Sequence, residues 1–184
     1  MGDILSKEKM HSESNGTSPN LKTTLERLIQ LDNLHLCLEC GKCSAICPML
    51  DFYGEYAYDR SPRGVVEHLI LEPEKTDDEA FWYCLSCKQC TFFCPSGVNF
   101  QDFITDLREI LLSHGYNQHA EFCLVCGAYL MPKKEFEYLI KDTEGKNVRE
   151  LLSLCLKCKT DNYRATLYRT ASWPKASKKT MNQP

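Results

Sequence analysis

One cysteine pattern, used twice, constrains this chain more than anything else in it. Cys37, Cys40, Cys43 and Cys47 are followed by Pro48 in the spacing C-x2-C-x2-C-x3-C-P, and Cys84, Cys87, Cys90 and Cys94, followed by Pro95, repeat it. A leucine, Leu38 or Leu85, follows the first cysteine of each copy. An internal duplication of this kind implies one site built twice, with pseudo-twofold character. Two-residue gaps let three cysteines wrap one corner of a cluster in a single tight turn, and the fourth leaves before proline turns the chain away. This is the run that bacterial-type [4Fe–4S] sites use, in which a cubane takes four soft thiolates, one per iron.

In the two-cluster arrangement the fourth cysteine serves the other cluster. The expected ligand sets are therefore Cys37, Cys40, Cys43 and Cys94 for one cluster, and Cys84, Cys87, Cys90 and Cys47 for the other. Loop amides aimed at sulfur would stabilise the negative charge of each cluster. Structural zinc sites divide into CxxC pairs, so three cysteines at successive two-residue gaps fit zinc poorly. A radical-generating cluster leaves one iron without a cysteine, whereas each group here offers four.

The remaining four of the 12 cysteines are Cys123, Cys126, Cys155 and Cys158, two CxxC knuckles. Their pattern suits a tetrahedral four-cysteine site, with structural zinc expected and a mononuclear iron as the alternative. Gly127 would let the first knuckle fold under the metal. His35 and His119 lie near cysteines but are not expected as ligands, because four thiolates already fill each site. Lys42 and Lys88 sit inside the cluster loops as solvent-facing charges or as countercharges to a cluster. Tyr53, Tyr56 and Tyr58 are either ordinary packing or a shield against water, and Phe81 and Trp82 are expected beside the second cluster.

Composition narrows the setting. The 184 residues are 43% hydrophobic with a formal net charge of −3, which permits a packed core and argues against non-specific nucleic-acid binding. No apolar run approaches the roughly 18–20 residues of a membrane helix. Residues 1–20 are polar without an apolar signal core, and dense cysteine in a reducing compartment points to metal rather than disulfides. A cytoplasmic protein is the expectation.

Periodicity predicts a mainly α chain. Leu21, Leu25, Leu28 and Ile29 share a helical face over 21–34, with Asn20 placed to cap it. Ser61-Pro62 predicts a cap and first helical position, Val65, Val66, Leu69 and Ile70 the apolar stripe, and Pro73 the stop. Another helix is expected from Asp77 to Tyr83. Asn99 should cap the clearest amphipathic helix, with Phe100, Phe103, Ile104, Leu107 and Leu111 on one face and Gly115 ending it. Phe136, Tyr138 and Ile140 alternate with their neighbours as a weak strand, residues 142–145 form a turn, and Val148, Leu151 and Leu152 a short helix. The expected division is a flexible arm (1–20), a two-cluster domain (21–118), a four-cysteine module (119–160) and a basic, frayed tail (161–184). Lys157, Lys159, Arg164, Arg169, Lys175, Lys178 and Lys179, towards the C-terminus, are either solvated or a dock for an acidic partner.

With both cluster motifs and the Ser61-Pro62-Arg63-Gly64 segment between them, residues 21–118 resemble the α-helical ferredoxin family, and within it the C subunit of heterodisulfide reductases most closely. The resemblance implies an α-helical ferredoxin domain; the small zinc-ribbon-like C-terminal module expected from the last four cysteines is the main departure from that family. It implies electron relay between a flavoprotein subunit and a catalytic subunit bearing Cys-Cys-Gly motifs. This chain has no Cys-Cys-Gly, so catalysis would belong to that partner. An iron–sulfur sensor or nucleic-acid-binding module, and a free soluble ferredoxin, are the alternatives.

Overall fold

The computed structural model describes residues 20–72, 79–143 and 146–170. The expectations for the N-terminal arm, Pro73, Asp77, the 144–145 turn and the last basic residues lie outside that range. The chain is mainly helical. Helix α1 (Leu21–Leu31) starts where Asn20 accepts a hydrogen bond from the Lys22 N–H, and it buries Leu25 and Leu28. A short helix α2 (Lys42–Ala45) carries the third cysteine of the first motif, and α3 (Met49–Tyr53) follows Pro48.

Helix α4 (Pro62–Leu71) has the expected cap. Ser61 Oγ accepts from Gly64 N and donates to the Tyr58 carbonyl at 2.6 Å, tying the helix to the 3-10 turn Tyr58–Arg60. Val65, Val66 and Leu69 are buried, but Ile70 is 48% exposed, because the stripe turns out of the core at the helix end. Instead of a full helix before the second motif there is a 3-10 turn, Glu79–Trp82, whose Phe81 and Trp82 are buried.

The second motif gives α5 (Gln89–Phe92), the counterpart of α2, and the two short helices pack together. Helix α6 (Phe100–Ser113) follows, and its face of Phe103, Ile104, Leu107 and Leu111 is at most 1% exposed. It packs on α1, and each such fully buried side chain contributes about 1.5–3 kcal/mol. Asn99 stands at the cap position, but its amide reaches the Asp102 carboxylate at 2.7 Å instead of capping the backbone. Gly115, with φ +88°, follows the helix end as expected.

Beyond α6 the chain forms a hairpin of β1 (Ala120–Phe122) and β2 (Tyr129–Pro132), paired antiparallel with a bulge between Glu121 and Phe122. The strand expected around Phe136–Ile140 is helix α7 (Lys133–Asp142). Phe136, Leu139 and Ile140 also fit helical spacing, Pro132 precedes the first turn, and Glu135 and Lys141 suit the two ends of the dipole. Helix α8 (Lys146–Leu152) matches the short helix expected there. Where a frayed tail was expected from residue 161, α9 (Leu156–Thr170) continues as helix, and Asp161 to Arg169 are exposed on every side.

Candidate iron–sulfur and metal centres

The two motifs follow one backbone path. Glu39 and Ser86, before the second cysteine of each copy, have φ of +53° and +51°; Gly41 and Lys88, after it, have φ of +74° and +67°. These two left-handed residues per loop fold the C-x2-C-x2-C turn back on itself and start α2 and α5. Glycine suits the position in one copy, while Lys88 accepts the strain in the other.

Cavities lie on either side of the wall made by Pro62, Cys90 and Phe100. One is lined by Cys37, Cys40, Cys43 and Cys94, together with Cys90 from the wall. The other is lined by Cys47, Cys84, Cys87 and Cys90. The chain thus brings the last cysteine of each motif to the cavity of the opposite motif, through the packing of α2 on α5. Donor chemistry and number fit a cubane in each cavity: four soft sulfurs, and no described carboxylate among the lining residues except Glu39.

Four of these thiols resist ionising in place. Burial pushes Cys43 and Cys47 up from the ordinary thiol range, and burial with the fields of Cys84, Cys87 and Cys43 pushes Cys90 up to about 12. Burial also raises Cys84, against the opposing field of Arg108. At Cys94 burial is outweighed by hydrogen bonds from Ser96 Oγ and from the amides of Val98, Ser96 and Gly97, which leave the thiol below its usual value. Crowded, buried thiolates are costly alone and favourable once they bind metal.

Charged and aromatic groups border these cavities. Arg60 lines the second cavity, 4.2 Å over the Tyr83 ring and paired with Glu55 at 3.0 Å. Arg63 lines the first, paired with Glu39 at 3.1 Å. Lys42 and Lys88 are exposed. Tyr53 is half-buried, and its hydroxyl donates to the Tyr83 carbonyl at 3.2 Å, whereas Tyr56 and Tyr58 are exposed.

Arg108, on α6, is a residue that the helical periodicity did not single out. It is 5% exposed and donates from Nε to the Phe81 carbonyl at 2.9 Å and from Nη2 to the Cys84 carbonyl at 2.7 Å. Its sequence signal was a charge between Ile104 and Leu111, four residues after one and three before the other on the apolar face.

The third group is more compact. The sulfurs of Cys123, Cys126, Cys155 and Cys158 all lie within 4.8 Å of one another, with Cys126 and Cys155 at 3.6 Å. A tetrahedral ion with metal–sulfur bonds of about 2.3 Å needs sulfurs about 3.8 Å apart. The first knuckle sits at the tip of the β1–β2 hairpin, where Gly127, at φ +71°, returns its N–H to the Cys123 carbonyl at 2.9 Å. The second opens α9. Cys155 N donates to Cys123 Sγ at 3.3 Å and Cys158 N to Cys155 Sγ at 3.4 Å. Hydrogen bonds from the Cys155 and Cys126 amides lower the Cys123 thiol to about 6, and sharing with Cys155 and Cys126 raises Cys158 to about 12. His119 stands apart, with its ring 6.3 Å from that of Trp82. All 12 cysteines are unbridged.

Residues 33–98 match the family model of the 4Fe-4S dicluster domain. A protein of Archaeoglobus profundus, described as like the C subunit of heterodisulfide reductase, is 29% identical over 80 residues, 44% of this chain and 42% of that protein. The C subunit of the ferredoxin:CoB-CoM heterodisulfide reductase of Methanosarcina mazei is 27% identical, covering 70% of this chain and 88% of that one. A probable glycolate oxidase iron-sulfur subunit of Bacillus subtilis is 28% identical over 56% of this chain but 23% of its own length. The matched region thus spans less than half of the Archaeoglobus and Bacillus relatives and most of the Methanosarcina one. No solved structure matches. Residues 33–98 thus match a 4Fe-4S dicluster domain, and through its paired cysteine motifs the chain is similar to the C subunits of heterodisulfide reductases.

Proposed function

We propose that this chain is a relay subunit that holds two [4Fe–4S] clusters and passes electrons between a flavoprotein subunit and a Cys-Cys-Gly catalytic subunit. The observation that carries this reading is the crossing of the motifs, with one cavity gathering Cys37, Cys40, Cys43 and Cys94 and the other Cys84, Cys87, Cys90 and Cys47. Bound there, the clusters would supply reversible one-electron transfer. The residues of the chain hold, shield and separate them. Pro62, Cys90 and Phe100 keep the two sites adjacent, and Tyr53 and Tyr83 limit water on one side. Leu38 and Phe92, 69% and 81% exposed beside the loops, leave each cluster edge open to a docking protein.

Cys123, Cys126, Cys155 and Cys158 hold one zinc ion as a structural site, supported by their spacing and by the amides that donate to Cys123 and Cys155. Among the described residues no helix is long and apolar enough to cross a membrane. A reducing cytoplasm, which keeps all these thiols free, is the proposed setting. The test is anaerobic purification of the tagged chain from its host with partner identification. Recovery of a flavoprotein and a Cys-Cys-Gly subunit, with reduction of this chain by the flavoprotein, is the expected result. A solitary chain that neither takes up nor gives electrons would overturn the relay.

A further inference from the structure

The two cluster sites are copies of each other in backbone but not in charge. Each cavity is lined by one arginine, Arg60 or Arg63, and each of these is paired with a nearby glutamate. Arg108 has no counterpart: it is the buried cation among the described residues. Its guanidinium lies 5.7 Å from the Trp82 ring centre and donates to the carbonyl of Cys84, a proposed ligand of the second cluster. Both carbonyl acceptors are neutral, so these bonds orient the charge without cancelling it. The buried acid of the described residues is Asp32. Its side chain accepts from Asn99, next to the Val98 that lines the first cavity.

We infer that Arg108 raises the reduction potential of the cluster held by Cys47, Cys84, Cys87 and Cys90 above that of its twin, so that the first electron to enter the chain rests on that side. This order of potentials rests on the ligand sets proposed above. Reduction adds one electron from an external donor, with no bond made or broken, and makes the cluster more negative. A guanidinium stays charged at any accessible pH, and in a poorly solvated interior its attraction for that added charge is large. Hydrogen bonding and local charge are among the levers by which a protein sets such potentials. The same field already reaches this part of the interior: it opposes the burial that raises Tyr129 and the Glu135 carboxyl. Glu135, on α7, is the facing acid, and burial favours its neutral form.

Arg108 is thus a positioning residue for redox tuning, and its test separates charge from scaffold. Wild type, Arg108→Gln and Arg108→Lys are purified anaerobically as holoproteins, assayed for iron and sulfide, and titrated with dithionite under EPR. Two reduction waves are expected in the wild type. Arg108→Gln should move the higher wave to lower potential and leave the lower one in place, while Arg108→Lys should keep both near wild type. Unchanged waves in the Gln variant, equal movement of both waves, or equal effects of Gln and Lys would overturn the inference. Should Arg108→Gln lose iron, Lys88→Gln and Lys42→Gln decide the same order from the exposed loops. Lys88→Gln should lower the higher wave and Lys42→Gln the lower one, and the reverse assignment overturns it. A wild-type chain with no iron would instead refute the cluster reading on which the inference rests.

Discussion

Replacing Gly64 with alanine should destabilise the protein through backbone contact alone. Gly64 is the last residue of the Ser61–Gly64 cap, where α4 meets the turn Tyr58–Arg60. A Cβ added there would overlap the Tyr58 carbonyl oxygen and lie 2.8 Å from the Asp59 Cα. Both are main-chain atoms, and the Tyr58 carbonyl is held by the Ser61 hydroxyl, so no side chain can swing away to make room. Overpacking of this kind costs at the upper end about 3 kcal/mol. Alanine's better helix propensity returns about 1 kcal/mol. The net loss is about 2 kcal/mol, which for a chain of this size lowers Tm by roughly 4–8 °C. Pro62 belongs to the wall between the cavities and Arg60 to the lining of one, so the shift should also lower iron retention. Thermal unfolding of the anaerobic holoprotein, followed by circular dichroism and paired with iron analysis, measures both. An unchanged or raised Tm would refute the reasoning.

Three further outcomes follow from the sites. Cys40→Ala should remove one cluster, so that iron falls from about eight to about four per chain while zinc stays at about one; full iron in that variant would contradict the ligand set. Cys126→Ala, or treatment with a zinc chelator, should remove zinc and leave the visible absorption of the clusters intact, and loss of iron in parallel would contradict separate sites. Burial raises the Glu135 carboxyl, so its folded value exceeds its unfolded one. That contribution to stability is therefore full below the unfolded value and is lost as pH rises through the folded value. Glu135→Gln should consequently be more stable than wild type in urea at pH 7.5, by a margin that narrows towards pH 5, and a less stable variant at pH 7.5 would contradict it.

The cysteine groups were legible in the sequence because their spacing is set by chemistry rather than by context. The duplicated run led to the expectation that Cys94 joins the first motif and Cys47 the second, and the cavities are lined by those groups. The caps at Asn20 and Ser61 and the face of α6 were equally legible, since each is a local pattern. What failed depended on tertiary context. Phe136, Tyr138 and Ile140 alternate like a strand, yet Phe136, Leu139 and Ile140 also fit a helix, and packing on the hairpin selects the helix. Ile70 continues the stripe of α4 but lies beyond the edge of the core. Arg108 was missed because periodicity counts apolar residues and ignores a charge among them; its role depends on the Phe81 and Cys84 carbonyls brought to it from another segment.

If the crossed cysteine groups hold two cubanes, each chain must carry the iron and sulfide of both. Iron and acid-labile sulfide per chain, measured on anaerobically purified protein, test this most directly. The predicted result is about eight of each, with about one zinc in addition. Zinc without iron or sulfide would contradict it.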